Sequence, residues 1–101
     1  MNWVVHKYVL EPEGKQRIET HKGVKFLTVA AQGNNICIWA LVNSDEERVT
    51  REVFVVPTGR NVNRFALDML RYEGTAFLEG GALVFHVFSD FPPLPEWKDM
   101  Q

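Results

Sequence analysis

Residues 23 to 47 read GVKFLTVAAQGNNICIWALVNSDEE, two apolar runs separated by Gln-Gly-Asn-Asn. No other stretch limits the fold so strongly. A Gly-Asn pair between β-rich runs suits the two-residue primed turns whose twist matches that of paired strands, and so predicts a hairpin with Gly33 and Asn34 at its tip. Counted outward from that tip, Ala31 faces Ile36, Val29 faces Ile38 and Leu27 faces Ala40. Side chains alternate along a strand, which leaves Phe26, Thr28, Ala30, Cys37, Trp39 and Leu41 on the opposite face. Both faces are largely apolar, whereas an antiparallel pair with one wet side alternates apolar with polar. The hairpin therefore needs cover on both sides, inside a sandwich or barrel or against another copy of the chain.

The flanking sequence supplies further strands. "WVVHKYVL" at 3–10 is a short first strand and a candidate edge, ended by the turn formers Pro12 and Gly14. "QRIETH" at 16–21 is a weaker second strand, expected to close a hairpin with the first. "EVFVVP" at 52–57 is another, ended by Pro57 and Gly59. In "RFALDMLRY" the pairs Phe65 and Met69, and Ala66 and Leu70, stand four apart, as one face of a short helix requires. Asn61 or Asn63 suits its N-cap. "GTAFLEGGALVFHVFSD" then reads as a closing hairpin turned at Gly80 and Gly81, and "FPPLPEWKDMQ" as a Pro-rich tail, extended along the surface or frayed. The expected fold is mainly β: a compact antiparallel sandwich or partly open barrel of six or seven short strands with one short helix. One domain covers 1–90, and the tail covers 91–101.

At 101 residues such a chain buries roughly two thirds of the surface it exposes when unfolded, enough for one core without staples. Cys37 is the only cysteine and cannot pair within the chain, so a buried thiol is expected. The net charge is −2, with lysines and arginines scattered. Phosphate-backbone binding relies on basic clusters, so duplex nucleic acid is not an expected partner. No run approaches the roughly 18 apolar residues of a membrane helix, and no basic residue precedes the first short apolar run, the reverse of a secretory leader. The reading is a soluble intracellular protein with no membrane partner.

Motifs of chemistry are missing: no phosphate loop, no paired cysteines, no His-Glu-x-x-His, no Gly-x-Ser-x-Gly. No catalytic residue, metal site or cofactor is assigned, although strand pairing of His6 with His86 would be one route to a nucleotide-directed enzyme. His86, inside "ALVFHVF", reads either as a hydrogen-bonded packing residue or as a ligand contact. The loop "PTGRNVNR" brings Thr58, Arg60, Asn61 and Arg64 to a helix start, where backbone N–H groups and arginine forks attract anions. The same loop also reads as a capped turn with solvated arginines. Trp39 and Tyr72 are core or interface aromatics, or platforms for a planar ligand.

Taken in order, "VHKYVL", "FLTVAAQGNNICIWALVNSD", "VFVVPTGRNV" and "YEGTAFLEGGALVFHVF" resemble a family of small uncharacterised proteins encoded by bacteriophages and prophages. That family carries a His-Lys-Tyr opening, a Leu-Trp-Ala-Leu-Val strand, a Thr-Gly turn, a Tyr-x-Gly-Thr step and a Leu-Val-x-His-Val-Phe close. Here the second motif reads Ile38-Trp39-Ala40-Leu41-Val42, and the tail lies outside the pattern. The resemblance implies a phage accessory protein in the bacterial host cytoplasm, acting by binding and countering host defence. Its target would be a small nucleotide-derived or anionic signal, held by Thr58, Arg60, Asn61, Arg64, Trp39, Tyr72 and His86. The alternative is a protein–protein interaction module that binds a host or phage protein as a defence inhibitor or minor assembly factor. A homo-oligomer, dimer or higher, is expected from the surplus of apolar strand surface.

Overall fold

A computed structural model describes residues 2–92. Seven strands form two antiparallel sheets that pack as an open sandwich and do not close into a barrel. The strands are β1 (Trp3–Leu10), β2 (Gly14–His21), β3 (Lys25–Gln32), β4 (Asn35–Asn43), β5 (Arg48–Pro57), β6 (Arg71–Leu78) and β7 (Leu83–Ser89), with one helix, α1 (Arg64–Asp68), between β5 and β6. The first sheet runs β1-β4-β3 and the second β2-β5-β7-β6. The Pro-rich tail expected at 91–101 falls, beyond Pro92, outside the described residues.

The central hairpin forms as its turn chemistry dictates. Gln32 pairs with Asn35 across the two-residue loop, and Gly33 takes φ 61°, a left-handed value that costs glycine little. Ala31 lies opposite Ile36 and Val29 opposite Ile38, but the alternation then slips. A bulge at Leu27 puts Phe26, rather than Leu27, opposite Ala40. An extra residue in one strand reverses the facing of everything beyond it, so Phe26 leaves the Trp39 face for the core, where it packs against the buried cluster.

The expected hairpin of the first two strands does not form. β1 pairs along its whole length with β4, and β2 pairs with β5 in the other sheet, so the turn at Pro12 is an arch between layers. β2 has only Ile18 as a strong apolar residue, and that side chain finds burial on the inner face of the second sheet. The core lies between the layers: Leu10, Val29, Ile36 and Ile38 from one side, Ile18, Val53, Val55, Ala76, Phe85 and Val87 from the other. Tyr8 ties the layers together by donating to Thr20 Oγ1 at 2.9 Å. Cys37 is buried.

β5 and β6 both run antiparallel to β7, which separates them. They are therefore parallel to each other, and residues 58–70, with α1, carry the chain between them. Asn63 caps the helix by accepting from the N–H groups of Phe65 and Ala66. The expected apolar face of the helix is a correction. No residue of α1 is buried, and Phe65 and Met69 are 82% and 73% exposed. A single turn is too short to present a stripe to a core whose two sides are already filled by sheets.

Candidate functional site: an aromatic face around His86

The outer face of the second sheet divides into two halves. On β2 and the adjoining part of β5 it is charged, with Lys15 paired to Glu52 at 3.2 Å and Arg48 to Glu19 at 2.8 Å. Across β5, β7 and β6 it becomes aromatic. Directly opposed residues share a face in an antiparallel sheet, so the pairings Phe54 to Phe88 to Tyr72 make one transverse row and Val56 to His86 to Thr75 the next. Phe77, opposite Val84, makes a third. The Tyr72 and Phe88 rings meet edge to face with centroids 5.4 Å apart, the favoured geometry for such a pair.

Through these rows runs a chain of hydrogen bonds. Thr58 Oγ1 lies 2.7 Å from His86 Nε2, Thr75 Oγ1 lies 3.2 Å from His86 Nδ1, and the Tyr72 hydroxyl bonds the Thr75 hydroxyl. A hydroxyl both donates and accepts, so the two threonines satisfy His86 in either tautomer. The histidine is thus held by a side chain of the neighbouring strand and by that of the residue that follows β5. Tyr72 and Thr75 are three apart, and simple alternation would put them on opposite faces. A bulge between Tyr72 and Gly74 brings them to one face, while the extra residue, Glu73, accepts from the buried Ser89 hydroxyl at 2.5 Å.

Of the residues expected to bind a ligand, Thr58, Tyr72 and His86 come together here. Thr75, which completes the row, was missed as a site residue, although its place opposite His86 follows once the Gly80–Gly81 turn is counted. The arginines of the crossover are engaged elsewhere. Arg60 reaches Glu13 at 3.1 Å, and Arg64 reaches Asp68 at 3.4 Å, one turn along α1. Asn61 is exposed on the crossover. Trp39 belongs to the outer face of the first sheet, opposite Lys7 and Thr28, so the thickness of the sandwich separates it from His86. His6 does not meet His86 either; it lies on the inner side of the first sheet, edge-on to Tyr8 at 6.2 Å.

Chemically, the face offers rings, hydroxyls and an imidazole, without a carboxylate, lysine or arginine in the row. Among the described residues no cluster of three His, Cys, Asp or Glu side chains could hold a metal ion, and no helix is long and apolar enough to cross a membrane. A cavity of about 370 Å³ opens elsewhere, beside Lys22, Val24, Val49, Arg51 and Pro92.

A family model described as a domain of unknown function, DUF7352, matches residues 1–97. No curated protein and no solved structure matches the chain.

Proposed function

We propose that this chain, which belongs to the DUF7352 family, is a non-enzymatic binding protein that recognises another protein through the aromatic half of its second sheet. One observation carries the reading: large apolar side chains stay in water at and beside the His86 row. Phe77 is 60% and Tyr72 57% exposed, and the crossover that leaves from Thr58 adds Val62, Phe65 and Met69. Fully covering an exposed apolar side chain gains about 1.5–3 kcal/mol, and large apolar side chains left in water on one face mark interaction surfaces. Aromatics and methionine are the residue types enriched at protein interfaces, and charged groups are depleted at their centres. The face is a sheet surface rather than a cleft, and small ligands favour concave sites. The likeness of its strands to phage and prophage proteins supports a partner in an infected bacterium, either a host defence protein or a phage assembly component.

A second reading keeps the small anionic or nucleotide-derived signal. It draws on Tyr72 and Phe77 beside a hydrogen-bonding row, the composition of a stacking platform, with the arginine ion pairs counting against it. A photo-crosslinking residue at Phe77, tested in phage-infected cells against the same residue at Arg17 on the charged half, separates the two. Protein recognition gives a discrete protein adduct from Phe77 and none from Arg17. A saturable rise in melting temperature with a nucleotide, lost in Tyr72→Ala, with no adduct from either position, overturns protein recognition in favour of the small ligand.

A further inference from the structure

We infer that β1 is a docking edge for a second copy of this chain, which adds its own β1 in antiparallel register and extends the first sheet from three strands to six. A sheet edge presents unpaired N–H and C=O groups, and proteins blunt such edges with charges, bulges or cover. Three of the four edges here are blunted. β2 carries Lys15, Arg17, Glu19 and His21 on its outer side. β3 is broken by its bulge at Leu27, and β6 by its bulge before Gly74. These two also close against each other, since a Cβ added at Gly74 would stand 3.0 Å from Val29 Cβ. Among the described residues, β1 has none of these devices beyond Lys7. It pairs with β4 over eight consecutive residues without a bulge, and among the described residues no strand pairs with its other side. Val5 and Val9, on its outer row, are 52% and 54% exposed.

The occupant follows from symmetry and charge. A two-fold axis normal to the sheet keeps outer residues outer, so paired positions must sum to an even number. A sum of 14 sets Lys7 directly against the partner's Lys7, and like charges opposite each other destabilise a pair. A sum of 10 overlaps only residues 3 to 7. A sum of 12 overlaps residues 3 to 9, sets Lys7 against the partner's Val5 and Val9 against the partner's Trp3, and places His6 on the axis. The outer rows of both copies then join the half-buried Trp39 and Leu41 of each sheet into one apolar surface.

Sedimentation equilibrium of the wild-type chain and two variants tests this. Val5→Lys puts a charge against the partner's Lys7 twice per dimer and should weaken association about tenfold, whereas Val5→Glu creates two opposite-charge pairs and should tighten it about tenfold. Residue 5 is half in water, and circular dichroism checks that each variant folds. A wild-type chain that stays monomeric at millimolar concentration overturns the inference. So does a dimer that responds equally to both variants, or one that ignores them and dissociates with Phe77→Glu, which would assign self-association to the aromatic face.

Discussion

His86 shows how much a single residue's meaning depends on its neighbours. Within an apolar heptapeptide it could serve as ligand or as packing, and the two threonines that take its ring nitrogens decide for a held side chain. Such bonds contribute about 0.5–1.5 kcal/mol each. A double-mutant cycle of His86→Phe with Thr58→Val should therefore give a coupling energy of about 1 kcal/mol in urea unfolding; additive losses would mean that the bond does not persist in water. Arg51 is the other polar residue whose surroundings decide its role. It is buried, its guanidinium lies 5.3 Å over the Phe26 ring, and it donates to the Asp90 carboxylate at 2.5 Å and to the Asp90 carbonyl. Asp90 also accepts from the Glu52 N–H, which fastens the exit of β7 to β5. Asp90→Ala leaves a buried cation without its carboxylate and should cost about 3 kcal/mol. Adding Arg51→Met should recover much of that loss, and a further loss in the double variant would contradict the pairing.

At the scale of elements, α1 is the segment whose local sequence and tertiary setting disagree. Its spacing is that of an amphipathic helix and its cap is sound, yet its apolar side chains face water. The double change Phe65→Ser and Met69→Ser should leave the unfolding free energy within about 0.5 kcal/mol, as for exposed positions generally, while abolishing the protein adduct formed at Phe77. A loss of several kcal/mol would show that the helix docks on the sandwich in solution. The strands were more legible. Period-two patterning and Gly-Asn or Gly-Gly turns located β3 with β4 and β6 with β7, because both signals are local. The two bulges were not legible, since an extra residue is defined only against the strand that it pairs with. Leu27 and Glu73 are ordinary residues for a regular strand. Their displacement moved Phe26 into the core and brought Tyr72 and Thr75 to one face, which is why the composition of the candidate site was only partly foreseeable.

For the whole molecule, the layering sets the division of labour between surfaces. The inner faces are consumed by one core, the charged half of the second sheet is held by ion pairs, and the aromatic half and the β1 edge are the surfaces we propose for docking another chain. The same topology governs folding. β1 must find β4 and β2 must find β5 across intervening strands, and such non-local pairing places β sandwiches in the millisecond-to-second range. Stopped-flow refolding should show a main phase there, and a microsecond phase carrying the full amplitude would contradict this register.

The amino-acid sequence by itself determined a mainly β fold, the position of most strands, the tip of the central hairpin and the burial of Cys37. These depend on alternation, turn chemistry and composition, which act over a few residues. Only the tertiary structure decided that β1 and β2 part into different sheets, where the bulges fall, and that Thr58, His86, Thr75 and Tyr72 are joined in one chain of hydrogen bonds while Trp39 and His6 do not join it. Those outcomes depend on which strand supplies the partner backbone, a choice made by competition for burial across the whole chain.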